Sequence, residues 1–118
     1  MSKELVKKLA DLFRRAAEAA LAADTDEDGG TCNFDTPAFR IKRCRKTVIE
    51  AAAREAGVLV DVTEFTWFGQ RWFWLIVPMH GQAARRTRMA EAAAKVLREA
   101  QEKGEIPEFR ALLYCQSD

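Results

Sequence analysis

Histidine is almost missing from this chain, cysteine is sparse, and no hydrophobic run approaches the length of a membrane span. His80 is the sole histidine, so pairing it with Cys32 or Cys115 would need the fold to join distant segments. A zinc site would have to be gathered from three scattered cysteines and that histidine. No serine or cysteine stands in a recognised nucleophile context, and Asp35, Glu64 and Asp118 meet only if tertiary structure brings them together. No catalytic residue and no cofactor is therefore expected. Cys32, Cys44 and Cys115 are odd in number and lack a CxxC spacing, which favours reduced thiols over a disulfide framework. The longest apolar stretch, Trp72 to Met79, is far too short for a bilayer, and MSKELVKK lacks the apolar core of a signal peptide. A cytoplasmic protein that does not engage a membrane is expected. The net charge, +1, decides no partner.

With 48% hydrophobic and 31% charged residues, the composition is that of a globular chain rather than a disordered one. At 118 residues a single domain can bury a real core. Lys3 to Ala23 places Leu5, Leu9, Leu12, Phe13, Ala16 and Ala20 at helical spacing, so residues 1–23 read as an amphipathic helix. A second unit follows over residues 31–115. Cys32, Phe34, Phe39 and Ile41 alternate with polar residues, predicting a strand broken or bulged near Thr36-Pro37. Val48, Ile49, Ala52, Ala53 and Ala56 predict a helix from about Lys46 that stops at Gly57. Val58 to Trp67 and Arg71 to Val77 predict a hairpin turning at Phe68-Gly69-Gln70. An Ala-rich helix from about Ala83 to Lys103 and a last strand from Phe109 to Cys115 complete the chain.

After the first helix this order is β-α-β-β-α-β, the α+β arrangement of ferredoxin-like domains: a four-stranded antiparallel sheet with its first and third strands central. Phe34, Ile76 and Leu112 are expected in the core. Along the third strand Trp72, Trp74 and Ile76 face one way and Phe73, Leu75 and Val77 the other, so both sheet faces are apolar there. One face is core; the other needs cover from the first helix, a second copy, or a ligand such as a stacked base. The first helix, with its apolar stripe, is the expected cover, the alternative being that it packs beside the other two helices.

DTDEDGGTCNFD puts Asp24, Asp26, Asp28 and Asp35 at positions one, three, five and twelve of a calcium-loop pattern, with Gly29 at six. Asp35 is shorter than the chelating glutamate, Thr31 replaces an apolar residue, Thr36-Pro37 follows where an exit helix belongs, and no second loop pairs with it. A solvated acidic turn is the expected reading, with no metal. RIKRCRK, from Arg40 to Lys46, concentrates five cations in seven residues, with Arg40, Lys42 and Arg43 leading the run. In HGQAARRTR, His80, Gly81 and Gln82 precede a helix start carrying Arg85, Arg86 and Arg88, where free N–H groups and guanidinium forks favour an anion or acidic partner. The glycine-lysine pattern of a phosphate-binding Walker loop is absent, and RWFWLIVP does not match the glycine-aromatic signature of RNA-recognition strands. The candidate partner-binding residues are thus Gln82, Arg85, Arg86, Arg88, Arg40, Lys42, Arg43, Trp72 and Trp74.

GGTCNFD, the GQ that precedes RRTR, and the terminal YCQSD resemble a group of small uncharacterised proteins carried by phages and mobile elements of gut-type bacteria. The resemblance covers most of the chain after the first helix, although an Asn stands in that group where this chain has Ala84. The Ala-rich helices also suit an engineered relative. The resemblance implies a small non-enzymatic protein that binds a bacterial protein or nucleoprotein, as a stoichiometric inhibitor of a defence component such as a CRISPR effector. The alternative is a nucleic-acid or nucleotide-binding module using the basic segments and the Trp-rich hairpin. A homodimer is compatible with either.

Overall fold

The computed structural model describes residues 2–23, 36–77 and 83–114, without the side chains of residues 2 and 83–87. Its elements are helix α1 (Ser2–Ala22), strand β1 (Thr36–Ile41), helix α2 (Lys46–Ala56), strands β2 (Asp61–Trp67) and β3 (Gln70–Ile76), helix α3 (Ala83–Lys103) and strand β4 (Phe109–Tyr114). Local chemistry sets the buried faces of the helices and two of their C-terminal stops. In α1, Leu9, Leu12, Phe13, Ala16 and Ala20 are buried, while Glu4–Lys8 and Asp11–Arg15 form i,i+4 ion pairs on the wet side. Helix α2 buries Ile49, Ala52 and Ala53 and ends at Gly57, whose N–H donates to the Arg54 carbonyl and whose positive φ of 124° turns the chain out of the helix. Helix α3 closes with the paired Schellman bonds: Gly104 N–H donates to Gln101 O and Glu105 N–H to Ala100 O, both at 3.1 Å.

The sheet order is β2-β3-β1-β4 with every neighbouring pair antiparallel, so β1 and β3 are central, as expected. Ala38 lies across from Trp74 on β3 and from Leu112 on β4. The β4 edge is partly capped, because Gln101 Oε1 accepts the Ala111 N–H at 2.8 Å.

All three helices share one side of the sheet. Helix α1 packs against α2 and α3, and its buried residues join the core formed by Phe39, Ile41, Phe73, Leu75, Val77 and Phe109. The Phe39 ring stands at the centre, 5.2 Å from Phe13, 5.6 Å from Phe73 and 5.7 Å from Phe109. The first helix therefore does not cover the tryptophans. Its stripe is taken up by the seam between α2 and α3, where Leu9, Leu12, Phe13, Ala16 and Ala20 are removed from water.

Other expectations are corrected. Strand β1 runs unbroken through Pro37, which is tolerated because it lies near the strand end, before Ala38 begins the pairing with β3. Residues 32–35, Phe34 among them, lie outside the described residues, as does Cys115. Strand β2 begins at Asp61 rather than Val58: the two-residue hairpin sets Asp61 opposite Ile76, and Val58 and Leu59 are left in an exposed turn after Gly57. Ile76 is 40% exposed and Leu112 half-buried, because both lie on the sheet face away from the helices.

Candidate binding face

Among the described residues no helix packs on the second face of the sheet. The alternation of the strands places Phe65 and Trp67 from β2, Trp72 and Trp74 from β3, Ala38 and Arg40 from β1, and Arg110, Leu112 and Tyr114 from β4 on it. Their rings form one network. Phe65 stacks on Trp74 at 3.8 Å, and Tyr114 meets Trp74 edge-on at 4.7 Å, Trp67 at 5.8 Å and Phe65 at 6.1 Å. Trp67 also abuts Trp72 edge-on at 5.4 Å. The small Ala38 between Trp74 and Leu112 leaves room for rings from β3 and β4 to meet above the central strand. Phe65, Trp67, Trp74 and Tyr114 are half-buried, so the network keeps an outward surface.

Two features at one end of this face disfavour folding. Arg40 and Arg110 lie directly opposite each other in the β1–β4 ladder, a like-charge pairing that destabilises a sheet. Neither forms an ion pair among the described residues; Arg110 Nη1 donates only to the Phe109 carbonyl, at 2.9 Å. At the same end the β2–β3 turn consists of Phe68 and Gly69, with φ of 51° and 72°. Positive φ at both central residues suits Asn-Gly; a phenylalanine there is strained, and this one is 86% exposed.

The neighbouring β1–α2 turn adds Lys42, Arg43 and Arg45, all exposed and without ion pairs among the described residues. Lys46 is paired with Glu64 at 3.3 Å. Arg71 is held for structure, since its guanidinium donates to the Cys44 carbonyl and lies 5.4 Å from the centre of the Phe73 ring. Burial pushes the Cys44 thiol up from its ordinary range, with nearby Arg71 pulling weakly the other way. Beneath this turn is a cavity of about 420 Å³, lined by Leu5, Ile41 and Cys44 together with charges of both signs such as Lys8, Arg43 and Glu108.

Of the residues singled out in sequence, Arg40, Lys42, Arg43, Trp72 and Trp74 come together at or beside this face. Trp72, however, is only 7% exposed, because Trp67 packs against it, so it supports the face rather than presenting a ring. Arg88 is half-buried and lines a different cavity, with Ala22, Ala23 and Leu113, near the other end of β4. Gln82 and the side chains of Arg85 and Arg86 lie outside the described residues, as do Asp24, Asp26, Asp28 and Asp35. Phe65, Phe68, Arg110 and Tyr114 were missed as site residues. A phenylalanine before glycine in a hairpin turn was the one signal for Phe68 visible in the sequence.

No group of histidine, cysteine, aspartate or glutamate among the described residues is placed to hold a metal, and no described helix is long and apolar enough to cross a membrane. No protein-family profile, curated protein or solved structure matches the chain.

Proposed function

We propose that this chain is a small binding protein that acts without catalysis, through the helix-free face of its sheet. The single observation that carries this reading is the joined network of Phe65, Trp67, Trp72, Trp74 and Tyr114 on a face where no described helix packs. Half-exposed Trp and Tyr are the side chains best suited to a partner, because each offers a large apolar body and a polar tip. The domain is proposed to be of the ferredoxin-like kind, a reading supported by the order β2-β3-β1-β4 and the two split β-α-β units.

A bacterial cytoplasmic setting is proposed with it. The reading as a stoichiometric inhibitor of a bacterial nucleoprotein uses the same face, whose exposed Phe68 and half-buried tryptophans suit an apolar pocket on a protein partner. Capture from a bacterial lysate, with and without nuclease, tests the face. Phe68→Asn should abolish capture and Glu18→Gln, on the exposed side of α1, should leave it intact. Equal capture by both variants would overturn the assignment.

A further inference from the structure

We propose that the ligand of this face is single-stranded nucleic acid, its phosphates held at the Arg40–Arg110 pair and a base stacked at Phe68 and Trp67. The proposal rests on the binding-face reading and names its occupant. Arg40 and Arg110, paired in the β1–β4 register on the same face, suit an anion, because an anion bound by both relieves the like-charge repulsion that the register imposes. Arginine forks suit a phosphate in particular, binding two of its oxygens at once.

The aromatic half of the site lies beside it. Arg40 is two residues from Ala38 and Trp72 two from Trp74, so the two share a level of the sheet on adjacent strands. The Phe68 tip follows the Trp67–Gln70 pair, about 7–10 Å farther along the strand direction at a rise of about 3.4 Å per residue. Trp67 is tilted against Phe68 with ring centres 5.0 Å apart, so a base arriving at the tip meets an exposed π-face already braced from behind. Lys42 and Arg43 in the adjoining turn extend the positive charge for a strand that continues past the pair. A duplex has its bases paired and stacked inside and offers Phe68 no face. An acidic protein surface would satisfy the arginines but leaves unexplained why a strained, exposed aromatic sits beside them.

The test is titration of the full chain's tryptophan fluorescence with a short oligothymidylate, a short oligouridylate and a duplex of the same length. Either single strand should quench the fluorescence and bind more tightly than the duplex; which of the two binds better assigns DNA or RNA as the source. Phe68→Asn, which suits the turn, should weaken binding roughly fivefold to a hundredfold with an unchanged melting temperature. Arg40→Gln/Arg110→Gln should lower the slope of log affinity against log salt by about 1.4, for two phosphate contacts at about 0.7 each. No quenching at low salt, duplex binding as tight as single-strand binding, or unchanged affinity in Phe68→Asn would overturn the proposal. If the oligonucleotides fail while a partner captured from nuclease-treated lysate is lost in Phe68→Asn, the occupant is a protein and only the ligand assignment falls. A wild-type dimer that Phe68→Asn converts to monomer in light scattering would assign the face to a second copy. Failure of the oligonucleotides together with full retention of capture by Phe68→Asn would remove the binding face as well.

Discussion

The two sides of the sheet are both built on aromatic networks, yet they are chemically opposite. On the helix side four phenylalanines, Phe13, Phe39, Phe73 and Phe109, meet with 1% exposure or less. Phenylalanine carries no polar atom, so it can be sealed under three helices without leaving a donor unsatisfied. On the other side tryptophan and tyrosine dominate, and Trp67, Trp74 and Tyr114 stay half-buried. Their N–H and O–H groups remain usable at a wet boundary. The comparison teaches that ring count alone does not mark a core: polar tips and residual exposure separate a face made for folding from one made for contact.

The largest expected effect falls on the helix side. Phe39→Ala should cost about 3–5 kcal/mol in urea unfolding, since it removes the ring that three others touch. Trp74→Ala should cost less, about 1–3 kcal/mol, from one stacked partner and partial burial. Equal losses from the two substitutions would erase the distinction between core and contact face.

A pH series sharpens it further. Burial raises the folded-state pKa of Cys44, so the folded chain holds that proton more tightly than the unfolded chain. The resulting stability is complete below the unfolded thiol's pKa of about 8.5 and is lost as pH rises through the raised folded value. Cys44→Ala should flatten this alkaline decline in a melting series; an unaltered decline would show that the dry side stops short of Cys44. At the rim of the same side, Arg15 Nη2 donates to Glu105 Oε1 at 2.6 Å and joins α1 to the loop before β4. Glu105→Gln should cost only about 0.2–1 kcal/mol, because both side chains are partly solvated. The smallest effect on folding belongs to Phe68→Asn, which should shift stability by no more than about 0.5 kcal/mol while removing the proposed contact. A large loss of stability there would recast Phe68 as part of the fold.

Much of the architecture was legible from local patterns. Period-3.6 stripes located α1 and α2 and an Ala-rich run located α3, almost to the residue, and Gly57 and Gly104 marked two stops, because backbone geometry and glycine's access to positive φ act over only a few neighbours. The hairpin at Phe68-Gly69 and the alternation of Trp72 to Val77 were visible for the same reason. Which side of that alternation would be sealed was not visible. Trp72, Trp74 and Ile76 look as apolar as Phe73, Leu75 and Val77, and the choice between them depends on where α1 packs.

The candidate site was half legible. Arg40, Lys42 and Arg43 stood out as a run and Trp74 as part of a hairpin, but nothing along the chain joins Arg40 to Arg110 or Tyr114 to Phe65. Those pairings cross the sheet between segments about fifty to seventy residues apart and follow from strand register. Element type and order and the two faces of each strand were therefore properties of the chain itself, carried by the periodicities of helix and strand. The side taken by the three helices, the aromatic network opposite them and the opposed arginines arose only from tertiary packing, because each is a sum over contacts between segments that local geometry leaves independent.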